Sequence, residues 1–310
     1  MMLEPLRMRP CYKDYLWGGT RLRREFGKTD APEVTAESWE LASHAAGNSS
    51  PLLTGLDRSA YWGTDCASGE FPIMVKLIDA KQNLSVQVHP SDETANRAAG
   101  EQGKTEMWYI VDCAPQAFLY LGFSKKIGRR EFLRRAGDGS ILEVLNRVPV
   151  SKGDVFCIRP GTIHAIGAGS VIAEIQQNSN TTFRVYDYNR VGPDGRRREV
   201  HLDRAAEVVN YEPVVPSECR ANNIVSFPEF QMREMFSCRY FRAWRLDVRK
   251  SVRLRCDGTS FQHLLCVEGR GDILAGKAIY PLTRGASYLM PAALGEYELR
   301  GECRVLLSRV

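Results

Sequence analysis

From residue 71 to residue 188 the chain is a succession of short runs rich in β-branched and aromatic residues, each closed by a turn signal. FPIMVKLIDA, LSVQVH, EMWYIV, AFLYLGF, DVFCIRP, SVIAEIQ and TTFRVYDY follow one another in that order. Each is short enough for a strand and either alternates at period two or is continuously apolar. Turn-forming residues separate them, as in Cys113-Ala114-Pro115, Lys152-Gly153-Asp154 and Pro160-Gly161-Thr162. Helical signals are few. Ser91 is placed to cap a short helix through Ala99, and Gly128–Ala136 and Ser140–Val148 carry apolar residues at helical spacing. Many short strands with sparse helix predict a mainly β barrel or jelly roll.

An internal echo divides the chain. The segment EMWYIVDCAPQAFL…KGDVFCIRPGTIHAI resembles HLLCVEGRGDIL…TRGASYLMPAALGEYEL near the C-terminus. Aligned on the proline corner, Pro160 meets Pro291, His164 meets Gly295, and Glu106 falls near Gln262. The second copy keeps the strand framework but lacks the histidine donors. The sequence therefore predicts two jelly-roll units: a catalytic one over residues 1–218 with a short helical insertion, and one over 219–310 without metal ligands. The Pro-, Ser- and Asn-rich stretch Pro213–Pro228 is suited to the connection.

Three separated clusters in the first unit carry nitrogen and oxygen donors: Gln87-Val88-His89, Lys104-Thr105-Glu106, and His164. Strand alternation gives them a common direction. Ser85, Gln87 and His89 point opposite to Leu84, Val86 and Val88, while Lys104, Glu106 and Trp108 share a face. Glu174 lies with Ile172 and Gln176, and Arg184 with Tyr186 and Tyr188. Taken singly, each has a blander reading. A strand histidine is usually just hydrogen-bonded, a strand lysine paired or snorkelling, and Glu106 could simply neutralise Lys104. The weight comes from co-occurrence on one predicted interior. A Gln/His/Glu/His set suits a divalent ion with a position left for substrate or water. His44, His201 and His263 have no such company and are expected to be structural.

Composition narrows the function classes. The net charge of +5 is modest and dispersed, which fits small anions and argues against nucleic acid. Arg196-Arg197-Arg198 is expected to be a solvated loop. Nine cysteines without a Cys-x-x-Cys pair disfavour a cysteine zinc site and a disulfide framework. No run approaches the roughly 18 apolar residues of a membrane span, and the N-terminus lacks the layout of a signal peptide. A cytoplasmic protein with no membrane partner is expected.

The same residues, in order and spacing, resemble the type I mannose-6-phosphate isomerases (phosphomannose isomerases) in their compact bacterial form. The resemblance runs through Tyr15-Leu16-Trp17-Gly18-Gly19, Ala36-Glu37-Ser38-Trp39-Glu40, Lys76, the Leu84–Asp92 block, Gly103–Glu106, Pro160–Ala165 and Arg184–Tyr188. It implies a cupin-like, zinc-dependent enzyme with one ion per chain held by Gln87, His89, Glu106 and His164. It further implies interconversion of mannose 6-phosphate and fructose 6-phosphate through a cis-enediol. Arg184 corresponds to an active-site arginine of the family. Lys104 and Glu174 are candidate proton carriers, and Lys76, Ser85, Trp17 and Glu37 candidate substrate contacts. Arg184, Lys76 and Ser85 form a natural set for a dianionic phosphate, and Arg184 is equally suited to stabilise an enediolate. Two rivals differ in chemistry. An iron cupin oxidoreductase has no need for Lys76, Arg184 and a phosphate end, and a non-catalytic sugar-phosphate sensor has no need for a proton-transfer set.

Overall fold

A computed structural model describes residues 3–51, 53–66, 69–95, 102–192, 195–216 and 223–310. The chain is mainly β with short helices, as the strand pattern predicts. Packing groups it into two compact units. One joins Met1–Lys13, Thr20–Leu77 and Ala221–Val310, and the other joins Asp14–Gly19 and Ile78–Arg220. The cut expected at 218/219 lies outside the described residues. The first 77 residues, apart from 14–19, pack with the C-terminal strands. The physical reason is visible in strand pairing. Leu6–Arg7 pairs antiparallel with Ser287–Met290, and the Met8 N–H donates to the Ser287 carbonyl at 2.8 Å.

In the C-terminal unit a nine-stranded sheet is built around the long strands Gln262–Ala275 and Gly295–Arg309. Alternate residues of its strands, among them Leu246, Leu264, Ile273, Leu299 and Val305, form a buried apolar cluster. The echo is legible here. Gln262 and Gly295 each open a strand, as Glu106 and His164 do in the other unit. Where the other unit has a carboxylate, Gln262 Oε1 accepts a hydrogen bond from the Tyr297 hydroxyl at 2.5 Å.

His263 is fully buried, with Nε2 2.8 Å from Ser287 Oγ. Burial, reinforced by the Lys28 charge, lowers its pKa to about 3. The unfolded chain binds a proton here near pH 6.5 and the folded chain does not, so the native state is favoured at neutral pH and loses that advantage as pH falls toward 3. The slope over this window is about 1.4 kcal/mol per pH unit for one such group. Urea unfolding at pH 7.5 and pH 4.5 should therefore show a smaller loss of stability for His263→Gln than for the parent protein. Equal losses would mean that His263 does not contribute to the acid sensitivity.

The other unit carries a five-stranded sheet in the order Leu145–Pro149, Phe118–Phe123, His164–Ile166, Val86–Val88, Phe183–Tyr186. One face of it, through Val86, Val88, Ile163, Ala165, Phe183 and Val185, packs with Phe132 and Ala136 of helix Arg129–Asp138 and Ala205 and Ala206 of helix Leu202–Val208. Alternation then sends Gln87 and His164 to the opposite face. A second group of strands pairs Glu106–Cys113 with Val155–Ile158 on one side and Ser170–Gln177 on the other.

Two helical expectations change. Ser140–Val144 is a 3₁₀ turn, and Leu145–Pro149 is an edge strand. The Asn146 amide donates to the carbonyls of Leu121, Phe123 and Val214, contacts a helix could not offer. At Ser91 the carbonyl accepts from the N–H groups of Thr94 and Ala95, giving one helical turn. The Ser91 hydroxyl instead donates to Glu93. Residues 96–99 of the expected helix lie outside the described residues.

Candidate metal centre and active site

His164 and Gln87 are direct neighbours across the five-stranded sheet, and Gln87 in turn faces Arg184. Residues opposite one another in a ladder share a face, so Arg184, Gln87 and His164 form one row. His89 follows Gln87 by two residues and falls on the same side. From the other group of strands, Glu106 comes to meet them. Its carboxylate lies 3.2 Å from His89 Nε2 and 3.9 Å from His164 Nε2. All three side chains are buried, and their ligand atoms lie within 4.8 Å of one another. Among the described residues this is the one cluster of histidine, cysteine and carboxylate groups with metal-holding geometry.

The backbone has set both imidazoles for coordination. His89 Nδ1 donates to the Thr181 carbonyl at 2.9 Å and His164 Nδ1 to the Thr162 carbonyl at 2.8 Å. Each ring is thereby held with its Nε2 lone pair toward the centre. Burial lowers the His89 pKa to about 3, with the Lys104 charge adding to the effect and Glu106 opposing it. Burial likewise lowers His164. For Glu106, burial acts upward, but Lys104, His89 and His164 together hold it well below the usual carboxylate range. Two neutral imidazoles and an ionised carboxylate are the states that metal ligation requires.

The centre also has an unmet need. Neither Glu106 oxygen accepts a hydrogen bond of acceptable angle, although both are sealed from solvent. Lys104 Nζ is 2.5 Å from Glu106 Oε1 and 3.5 Å from His89 Nε2, so the bland ion-pair reading of Glu106 is partly realised. One ammonium cannot serve both Glu106 oxygens, and the two Nε2 lone pairs meet only long contacts, from Lys104 at 3.5 Å and from the Gln87 amide at 3.3 Å. A buried anion in that condition is costly unless a cation completes it. A divalent ion fits the donor set.

The Gln87 amide nitrogen stands 3.3 Å from His164 Nε2. Glu174 is directly opposite Trp108 in the ladder, and its carboxylate accepts the Trp108 indole N–H at 2.8 Å. The same indole meets the His164 ring edge-on at 5.3 Å between centroids. Trp108 thus ties Glu174 to a histidine of the cluster. The Arg184 guanidinium donates to the Glu199 carbonyl at 2.7 Å, while its Nε is buried without an acceptor. Ser85 and Trp17 are buried in the same unit. Lys76 and Glu37 belong to the other unit, where they pair at 3.7 Å and Glu37 also accepts the Trp39 indole N–H at 2.6 Å.

Some supporting residues carry no motif. Gln177 Oε1 accepts the Thr105 N–H at 2.9 Å and fixes the strand entry to Glu106. His201 Nδ1 accepts the Arg184 N–H at 3.1 Å, so this histidine is structural, as expected, but in service of the site strand. Arg198 is not merely solvated. With Arg190 it clamps the Asp187 carboxylate, which is 5% exposed.

The sequence matches the family description "Phosphomannose isomerase type I, catalytic domain" over residues 6–109 and "Mannose-6-phosphate isomerase, cupin domain" over residues 231–310. It is 35% identical to the mannose-6-phosphate isomerase ManA of Bacillus subtilis (strain 168), with 100% of both chains covered. The chain belongs to the type I phosphomannose isomerases. The crystal structure of the mannose 6-phosphate isomerase from Bacillus subtilis superposes with a TM-score of 0.91 at 29% identity, covering 99% of this chain and 100% of that one. A mannose 6-phosphate isomerase bound with zinc and yttrium shares the fold, with a TM-score of 0.76 at 17% identity over 99% of both chains. Membership makes this chain an isomerase with a cupin-type β fold. No helix among the described residues is long and apolar enough to cross a membrane.

Proposed function

We propose that this phosphomannose isomerase family member is a zinc enzyme that interconverts mannose 6-phosphate and fructose 6-phosphate through a cis-enediol. The observation that carries the reading is the buried Glu106 carboxylate, facing two imidazole Nε2 atoms and balanced by the Lys104 ammonium at Oε1 alone. His89, Glu106 and His164 would hold one zinc per chain. Gln87 would complete the set by turning its amide oxygen toward the ion. Bound there, zinc supplies positive charge and Lewis acidity to the vicinal oxygens of the sugar.

The remaining work falls to side chains. Isomerisation moves a proton between C2 and C1 of the sugar. Lys104 is buried beside Glu106 and His89, and Glu174 is fixed by Trp108, so these two are the proton carriers. Arg184, in the row with Gln87 and His164, brings a fixed cation to the phosphate or to the developing enediolate. Lys76, Ser85, Trp17 and Glu37 are assigned to substrate contact on the strength of the family motifs. A cytoplasmic location belongs to the same reading: eight described cysteines that form no disulfide suit a reducing compartment.

The proton-transfer step has its own test. An ammonium scrambles an incoming proton among its three hydrogens, so turnover of mannose 6-phosphate in heavy water should place deuterium at C1 of fructose 6-phosphate, seen by NMR. Product that forms with C1 fully protiated would contradict transfer through Lys104.

A further inference from the structure

The C-terminal unit holds a cavity of about 410 Å³ that the isomerase reading does not use. This is within the range of small-molecule sites, roughly 300–1,000 Å³. Its wall carries Arg7, Arg9, Lys28 and Arg284, against Asp30 as its acid. The charges are not equivalent. Lys28 is spent on Glu40 at 2.7 Å and on the Gly285 carbonyl, and Asp30 accepts the Tyr12 hydroxyl at 2.7 Å. Arg284 stacks over the Phe26 ring at 4.1 Å and reaches Glu25 only at 3.6 Å, and its Nε is shut off from solvent with no acceptor. The side chains of Arg7 and Arg9 have neither a hydrogen bond nor an ion pair among the described residues.

The backbone of the wall contributes as well. Phe26 adopts φ −113° and ψ 16°, and Gly27 follows at φ +64°. A right-handed residue followed by a left-handed one turns successive N–H groups to one side, the nest that binds anions in many loops. The Gly27 and Lys28 N–H groups find no acceptor among the described residues. Uncommitted guanidinium groups, a buried Nε without a partner and a nest with free N–H groups thus line one cavity.

From this geometry we infer that the C-terminal unit has a second anion site, at Arg7, Arg9, Arg284 and the Phe26–Lys28 loop, that takes a small free dianionic phosphate. Guanidinium forks match two phosphate oxygens, and the nest accommodates a third. This site is separate from the phosphate requirement assigned to Arg184, so the two can fail independently.

Calorimetric titration of the zinc-supplemented full chain with inorganic phosphate at low ionic strength tests the inference. The double variant Arg7→Ala/Arg9→Ala should bind phosphate at this site at least about tenfold more weakly, with an unchanged melting temperature as the check on folding. Arg9→Ala alone should shift affinity in the same direction. Arg184→Ala should leave the event in place. Phosphate binding by the double variant equal to that of the parent would overturn the site. So would an Arg184→Ala protein that binds no phosphate at all.

Discussion

Arg184→Ala is expected to lower kcat for mannose 6-phosphate by roughly 10²–10³-fold while leaving the metal content of the protein unchanged. The split between those two readouts follows from position. Arg184 stands one strand away from Gln87 and two from His164 in the same row, close enough to bring a cation to the site's edge. It is not among the groups whose ligand atoms converge. Its strand is secured separately, by the His201 ring on the Arg184 N–H and by the Arg184 carbonyl accepting the His201 N–H at 2.7 Å. Truncating the side chain therefore removes a charge without dismantling the ladder. The guanidinium now donates to the Glu199 carbonyl, a contact that a substrate oxyanion can displace. A steady-state assay with metal analysis on the same preparation decides the matter. Near-parental turnover would remove Arg184 from the mechanism, and lost metal would make it a structural support of the centre.

Much of this arrangement is legible in the sequence. Period-two alternation alone placed Gln87 and His89 opposite Val86 and Val88, because a strand with one face in an apolar core has no other way to lie. The same rule put Lys104, Glu106 and Trp108 together. What alternation could not give was distance. That Glu106 meets both imidazoles depends on how two groups of strands face each other, a property of tertiary packing that no local pattern encodes. The carbonyls of Thr162 and Thr181 that set the histidine tautomers were invisible for the same reason, since a backbone acceptor has no signature in residue type.

The misses have physical causes too. Ser140–Val148 has helical spacing, but Leu145–Pro149 gained more from pairing with Phe118–Phe123 and from the Asn146 amide than from continuing a helix. Arg198 looked solvated because its partner, Asp187, lies eleven residues away around a loop. The expected cut between units followed the chain. Packing instead drew the N-terminal strands to the C-terminal sheet through Leu6–Arg7 and Met8, and a two-residue pairing of that kind leaves little trace in sequence.

The second large effect is loss of the metal itself. His164→Ala removes an Nε2 donor from a buried set in which Glu106 has no hydrogen-bonded substitute. Three ligands held by separate strands bind an ion well only together. The variant should therefore retain less than about a tenth of the parental metal and lose at least about 10³-fold in turnover. Its remaining carboxylate would then sit beside Lys104 and His89 only. The measurement that bears most directly on the account is metal content together with a coupled assay of fructose 6-phosphate formation from mannose 6-phosphate. It is made on the parent protein before chelation, after chelation and after zinc is restored, with His164→Ala alongside. The account predicts activity that disappears with the metal, returns with zinc and never appears in His164→Ala. Full activity in the chelated, metal-free protein would contradict it, and activity restored by ferrous iron but not by zinc would transfer the site to a different chemistry.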